Sequence, residues 1–155
     1  MYFKSKIDEY NNDKLKIFID MDGVVADYDM GVSGTQIDYS IKRPLYSNIA
    51  QIEEISHYDN IELYILSITR HNEGINQKNE WLDKYMPFIK KENRVLLSRE
   101  ENNMELSKLL KSEYLKNIIS DEYKIILIDD DPAIIDEVKN KIPTIITMKE
   151  SVLID

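Results

Sequence analysis

The feature of this chain that most constrains its fold is an apolar run that ends abruptly in two acids. Residues Ile17–Ile19 are followed by Asp20 and Asp22, and Gly23 comes directly after them. A short apolar run predicts a buried strand, and the glycine allows the backbone to turn sharply where that strand ends. Open parallel sheets bind their ligands at the carboxyl edge of the strands. The pattern therefore predicts a magnesium-dependent site that handles phosphate at the mouth of a sheet.

The same pattern occurs a second time, near the other end of the chain. The apolar run Ile125–Ile128 is followed by Asp129 and Asp130. Asp131 and Pro132 come next and predict a helix start, because aspartate is a good N-cap and proline suits the first helical position. Carboxylates from two strand ends repel one another in a partly dry cleft, and Mg²⁺ prefers such oxygen ligands. We therefore expect the two acidic strand ends to share one divalent ion.

Apolar runs and amphipathic stretches alternate through the chain, as in proteins with buried parallel strands. The predicted strands are Lys16–Ile19, Glu62–Leu66, Arg94–Leu97, Ile125–Ile128 and Thr144–Thr147. The predicted helices are Pro44–His57, Asn76–Tyr85, Met104–Ile119 and Ile134–Lys141. This order predicts an α/β fold, a three-layer, doubly wound parallel sheet, in a single domain that spans residues 1–155.

Composition narrows the classes of function. The 155 residues carry a net charge of −9, which repels polyanions at long range and argues against a large nucleic-acid footprint. The absence of cysteine excludes disulfides, thiol catalysis and cysteine-ligated metals. The first residues are charged where a signal peptide needs an apolar stretch, and no segment is long enough to span a membrane. We expect a cytoplasmic protein without a membrane partner.

Three short motifs lie at the ends of three predicted strands. They are Asp20-Met21-Asp22-Gly23-Val24, the serine of Leu66-Ser67, and Leu127-Ile128-Asp129-Asp130. In this order they resemble motifs I, II and IV of the haloacid dehalogenase superfamily. The resemblance implies a Rossmann-like α/β fold and a phosphatase activity that depends on Mg²⁺.

Three longer stretches resemble the 5′(3′)-deoxyribonucleotidases of that superfamily. They are Asp20-Met21-Asp22-Gly23-Val24-Val25-Ala26-Asp27, residues 78–88, which include Trp81, and Leu127-Ile128-Asp129-Asp130-Asp131-Pro132. This closer resemblance implies a nucleotide substrate.

The resemblance also implies a role for each acid. Asp20 would be the nucleophile that forms an aspartyl-phosphate, and Asp22 would be the general acid and base. Mg²⁺ would be held by Asp20, by the backbone carbonyl of Asp22 and by the side chain of Asp129. Asp130 would act through a metal-bound water or orient its neighbour. Ser67 would donate a hydrogen bond to a phosphoryl oxygen.

The lysine that neutralises the aspartate–phosphate pair is where the chain departs from the deoxyribonucleotidases. In those enzymes it follows the third strand closely, whereas here no lysine occurs between Leu97 and Lys108. The phosphatase domains of phage-type polynucleotide kinases carry the lysine into a helix instead. On that pattern Lys111 is the expected catalytic lysine, and Lys108 is the alternative.

Substrate contacts are predicted at two further places. Thr69 and Arg70 follow Ser67 at the same edge of the sheet, and Arg70 could grip a substrate phosphate. Residues 28–43 form a cap insertion of about sixteen residues, which is short beside the helical cap of deoxyribonucleotidases. A minimal cap leaves room for a nucleic-acid end, or for a second subunit of a homodimer that completes the pocket.

These observations predict a Mg²⁺-dependent phosphomonoesterase whose substrate is a small phosphorylated molecule, a nucleotide first of all. One alternative is a polynucleotide 3′-phosphatase, which the short cap and the late lysine favour. A second alternative is a catalytically inactive binding or regulatory module of the same fold. The presence of Asp20, Asp22, Asp129 and Ser67 argues against the inactive module, because a degenerate copy need not keep the nucleophile.

Overall fold

The apolar runs form the strands of one parallel sheet in the computed structural model, which describes residues 2–28 and 38–154. Its strands are β1 (Leu15–Ile19), β2 (Ile61–Thr69), β3 (Arg94–Ser98), β4 (Lys124–Asp129) and β5 (Ile146–Lys149). Their order across the sheet is β3-β2-β1-β4-β5, and every neighbouring pair is parallel. The chain therefore builds outward from β1 in one direction and from β4 in the other. Ligands bind at such a reversal of strand order.

Helices cover both faces of the sheet. They are α1 (Tyr2–Asp8), α2 (Tyr46–Ile55), α3 (Glu73–Tyr85), α4 (Ser107–Lys116) and α5 (Pro132–Lys141). Side chains of α1, α2 and α3 pack with one apolar cluster, and those of α4 and α5 pack with a second. Strand β1 is buried on both faces, since Ile17 and Ile19 belong to the first cluster and Phe18 to the second. The predicted three-layer, doubly wound α/β fold is thus confirmed.

Helix α1 was not predicted, helix α3 begins three residues before its predicted start, and several other boundaries also differ from the predictions. Strand β2 runs on to Thr69 because β3 pairs with it along its second half, so Ser67 lies inside the strand and not after it. Helix α4 begins at Ser107, not at Met104, because Met104 has a positive φ of 56° that a helix does not allow. Strand β5 begins at Ile146, two residues after the predicted start.

The start of α5 follows its prediction. The side chain of Asp131 accepts a hydrogen bond from the backbone N–H of Ala133 at 2.9 Å, and Pro132 occupies the first turn. Asp131 is therefore the N-cap of α5. This capping role separates Asp131 from Asp129, the last residue of β4, and from Asp130, which follows it.

Most of the predicted cap insertion, residues 29–37, lies outside the described residues. Its two ends meet: the backbone N–H of Asp27 donates to the carbonyl of Arg43 at 2.8 Å, and Ala26 forms an antiparallel bridge with Pro44. A short 3₁₀ helix, Tyr39–Ile41, precedes the return to the core. Within residues 2–28 and 38–154, every helix is too short or too polar to cross a membrane.

Candidate functional site

The two acidic strand ends meet because β1 and β4 are neighbours in register. Ile19 pairs with Ile128, and the backbone N–H of Asp20 donates to the Ile128 carbonyl at 3.0 Å. This hydrogen bond continues the ladder one residue past β1 and brings Asp20 beside Asp129. Carboxylate oxygens of Asp20, Asp129 and Asp130 lie within 4.8 Å of one another. Three hard oxygen ligands at this spacing fit a divalent cation such as Mg²⁺.

Lys111 of α4 contacts the same cluster of carboxylates. Its Nζ donates to Asp20 Oδ1 at 2.8 Å and to Asp129 Oδ2 at 2.7 Å. Burial acts to lower the pKa of Lys111, but the charges of Asp20 and Asp129 outweigh burial and raise it. Lys108, one turn earlier on the helix, is half-buried and influences Glu137 of α5 instead. Of the two candidate lysines, the structure brings Lys111 to the acids.

The carboxyl groups of Asp129 and Asp130 both have pKa values above the ordinary value of an aspartate. Burial, followed by the negative charge of Asp20, raises the pKa of Asp129 to about 6, although Lys111 acts in the opposite direction. Burial and Asp20 also raise the pKa of Asp130 to about 7. The pKa values are raised because ionised carboxylates repel one another in a buried cleft. Binding of a cation or a proton relieves this repulsion.

Asp22 lies near this cluster, but its carboxylate makes different contacts. Tyr39 donates its hydroxyl to Asp22 Oδ1 at 2.8 Å, and Lys42 donates to the same oxygen. Lys78 Nζ lies 3.7 Å from Asp22 Oδ2. Burial acts to raise the pKa of Asp22, yet Lys78 and Lys42 together lower it below its ordinary value. The side chain of Asp22 is therefore an ionised, ion-paired carboxylate beside the three-acid cluster.

Ser67 is buried, and its hydroxyl has a partner that sequence reasoning missed. Lys78 of α3 donates to Ser67 Oγ at 2.6 Å and to the Ile68 carbonyl at 2.9 Å. Burial lowers the pKa of Lys78, and the charges of Asp22 and Asp20 only partly offset this effect. A signal was present in the sequence, because Lys78 occupies the helix face that Trp81 buries one turn later.

Thr69 and Arg70 are the other predicted substrate contacts, and they lie outside the lining of the cavity that contains the acids. The Thr69 hydroxyl donates to the His71 carbonyl at 3.2 Å. The side chain of Arg70 is exposed. The role of Thr69 and Arg70 in substrate binding stays a prediction.

A cavity of about 370 Å³ opens above the acids at the carboxyl edge of the sheet. Asp20, Asp22, Asp129, Asp130 and Lys111 line it, together with Tyr28, Ile68 and the start of α5. At its rim Gly23 has a φ of +80°, and a Cβ there would lie 2.6 Å from the Tyr28 hydroxyl and against Asp130 Oδ2. The glycine is therefore needed both for the turn and for the close approach of Asp130. The volume suits a small phosphorylated group.

Comparison with known proteins finds a likeness of fold. No protein-family model and no curated protein matches the sequence. Among solved structures, a chain of the Pnkp1/Rnl/Hen1 complex is similar, with a TM-score of 0.69 and 14% sequence identity. A chain of the Pnkp1/Rnl/Hen1 RNA repair complex is also similar, with a TM-score of 0.66 and 15% identity.

These matches cover 88% and 89% of this chain, but only 45% and 43% of the chains to which it is similar. The chain thus spans less than half the length of either structure. At such low identity the likeness concerns the fold and not the activity. What the comparisons establish is that this chain shares its α/β, Rossmann-like fold with part of proteins from an RNA repair complex.

Proposed function

We propose that this protein is a Mg²⁺-dependent phosphomonoesterase that works through an aspartyl-phosphate on Asp20. The observation that carries the proposal is the position of Lys111 Nζ, 2.8 Å from Asp20 Oδ1 and 2.7 Å from Asp129 Oδ2. Asp130 completes a set of three carboxylates beside this ammonium group. A nucleophilic carboxylate, a buried cation and an all-oxygen ligand set at one cavity are the components that phosphoryl transfer requires.

Asp20, Asp129 and Asp130 are the residues that would hold the metal ion, with the backbone carbonyl of Asp22 as a further ligand. The raised pKa values of Asp129 and Asp130, about 6 and about 7, support a cation there because a divalent ion would relieve their mutual repulsion. When bound, Mg²⁺ supplies positive charge that polarises the phosphoryl oxygens.

The first half of the reaction transfers the phosphoryl group to the protein. A carboxylate oxygen of Asp20 attacks phosphorus, the Asp20 O–P bond forms, and the ester P–O bond breaks. The leaving alkoxide takes a proton from Asp22. Lys111 offsets the negative charge that builds up between Asp20 and the phosphoryl oxygens.

The second half returns the protein to its starting state. Asp22, again ionised, takes a proton from a water molecule, whose oxygen attacks phosphorus. The Asp20 O–P bond breaks and orthophosphate leaves. The contacts of Asp22 with Lys42 and Lys78 lower its pKa and suit this base role. Its role as an acid requires the Lys42 contact to open, so that the carboxyl group can carry a proton.

The proposal has two candidate substrates. A free nucleotide follows from the resemblance to deoxyribonucleotidases and suits a cavity of about 370 Å³. A phosphorylated nucleic-acid end is supported by the fold likeness to chains of an RNA repair complex and by the short cap insertion. An inactive binding module is the competing function from a different class.

Hydrolysis of an aryl phosphate with and without Mg²⁺ tests the activity. We expect turnover that requires the metal and falls by about a thousandfold or more in Asp20→Asn. Asp136→Asn, an exposed aspartate on α5, is the matched control and should keep full activity. Absence of metal-dependent turnover, or an Asp20→Asn variant as active as the parent, would favour the inactive module.

A substrate panel then separates the two candidates. Nucleoside monophosphates and 3′-phosphorylated oligonucleotides should be compared by kcat/KM in the same buffer. A preference for the oligonucleotides would favour the nucleic-acid end. A preference for the monophosphates would favour the nucleotidase.

A further inference from the structure

Lys78 is a buried cation whose only part in the proposed mechanism is to help lower the pKa of Asp22. It lies on α3, and its side chain is only 4% exposed. Burying an ammonium group is unfavourable unless its charge and its hydrogen bonds are satisfied, and an apolar side chain of similar length packs without that penalty. Packing alone therefore does not explain a lysine at this position. Its contacts must.

Those contacts connect the end of β2 to the acid after β1. Lys78 Nζ donates to Ser67 Oγ at 2.6 Å and to the Ile68 carbonyl at 2.9 Å, and it lies 3.7 Å from Asp22 Oδ2. Two of the three acceptors are neutral, so the ammonium is held mainly by groups that carry no charge. Asp22 and Ile68 both line the cavity above the acids.

The hydrogen bond to Ser67 determines the direction of the serine hydroxyl. A lysine ammonium is only a donor, so Ser67 Oγ must accept from it. The hydroxyl proton of Ser67 is then directed away from Lys78 and is available to another acceptor. An unconstrained serine hydroxyl rotates and can accept or donate equally well. Lys78 therefore converts Ser67 into a committed donor. Ser67 is buried in β2 and directly precedes Ile68, which lines the cavity above the acids.

We propose that Lys78 is a positioning residue for phosphoryl transfer, which orients the Ser67 hydroxyl as a donor and anchors the Asp22 carboxylate. This inference rests on the proposed function, since it assigns Ser67 a phosphoryl oxygen as its acceptor. Lys78 acts through Ser67 and Asp22 and does not itself line the cavity. The site thus has two buried lysines with different tasks, Lys111 at the nucleophile and Lys78 behind the donor.

A double-mutant cycle between Lys78 and Ser67 tests the inference. Lys78→Met and Ser67→Ala should each lower kcat for an aryl phosphate at least tenfold with Mg²⁺ present, while KM changes less than threefold. Because Lys78 acts through Ser67, the double variant should lie within about threefold of the poorer single variant. Lys84→Met, an exposed lysine on the same helix, is the matched control and should keep the parent kcat.

Thermal unfolding of the same variants distinguishes positioning from a structural role. Lys78→Met should unfold close to the temperature of the parent, because losing the desolvation cost of a buried charge offsets the acceptors left unfilled at Ser67 and Ile68. Should Lys78→Met fail to fold, Lys78→Gln takes its place in the cycle, with the same coupling expected.

Two results would overturn the inference alone: a Lys78 variant with the kcat of an active parent, or losses that multiply to a hundredfold or more in the double variant. An inactive parent protein would instead overturn the proposed function, and the positioning role with it.

Discussion

Two lysines of this protein are almost equally buried, yet their environments shift their pKa values in opposite directions. Lys111 is 2% exposed and donates to two carboxylates at 2.7 and 2.8 Å. Lys78 is 3% exposed and donates to a hydroxyl and a backbone carbonyl. Burial lowers the pKa of both, but the carboxylates reverse its effect only at Lys111.

This difference shows that the partners, and not the depth of burial, decide the state of a buried ammonium group. Lys111 balances fixed negative charge, so its removal leaves Asp20 and Asp129 without a counter-charge. Lys78 donates to two neutral acceptors and lies 3.7 Å from Asp22 Oδ2, so its removal leaves Ser67 and Ile68 with unfilled acceptor sites, while Asp22 keeps Lys42 as a counter-charge. We expect the two sites to respond differently to the same substitution.

The largest effect is expected for Lys111→Met. Breaking a buried ion pair by removing one partner costs about 3–5 kcal/mol. Urea unfolding of the metal-free protein should therefore show a loss of that order, whereas Lys78→Met should show a much smaller loss. Activity toward an aryl phosphate should fall by about a thousandfold, because the charge beside Asp20, the proposed nucleophile, is lost.

Lys108→Met is the matched control for this substitution, since Lys108 lies on the same helix one turn from Lys111. It should keep both stability and activity. Loss of activity in Lys108→Met with full activity in Lys111→Met would reverse the assignment of the catalytic lysine. Equal destabilisation by Lys111→Met and Lys78→Met would contradict the comparison itself.

A smaller effect is expected from pH, and it concerns the Lys111 side of the site. The pKa values of Asp129 and Asp130 are raised to about 6 and about 7, so the folded protein holds protons that the unfolded chain has already released. The stability from these protons is present at low pH and is lost as pH rises through 6 and 7. Without metal, the unfolding free energy should fall by about 3 kcal/mol between pH 5.5 and pH 8.

Calorimetric melts with EDTA and with Mg²⁺ at both pH values measure this effect. Because a cation replaces the protons, Mg²⁺ should stabilise the protein more at pH 8 than at pH 5.5. The doubly substituted Asp129→Asn, Asp130→Asn protein is the control and should lose most of the pH dependence. A metal-free stability that rises over this range would show that these carboxyl groups are not protonated in the folded state.

The smallest effect is expected for Gly23→Ala, which disturbs Asp130 and leaves the Lys78 contacts intact. The positive φ of +80° and the close approach of Asp130 disfavour any Cβ at this position. We expect a loss of about 1 kcal/mol in stability and a weaker response of the melting temperature to Mg²⁺. Gly74→Ala on α3, where the added Cβ meets the side chain of Thr69, is the companion variant. It should leave the response to Mg²⁺ unchanged.

The sequence by itself determined the fold class and the acidic centre of the site. Apolar runs that end in acids identify buried parallel strands, and parallel strands deliver their carboxyl ends to one edge. Asp20, Asp129 and Asp130 could therefore be predicted to meet, although about a hundred residues separate the two motifs. Resemblance to phage-type kinase phosphatase domains selected Lys111 over Lys108. These predictions depend on local pattern and on sheet topology, and both are encoded along the chain.

Only the tertiary structure decided the contacts of Asp22 and Lys78, the charged side chains next to the three-acid cluster. The pairing of Asp22 with Tyr39 and Lys42 joins segments that no local pattern relates, and the orientation of Lys78 depends on how α3 packs against the sheet. The start of α4 also depended on it, since a positive φ at Met104 cannot be seen in helical periodicity. Periodicity reports which face of an element is buried, whereas partners of a buried charge are determined by contacts between distant segments.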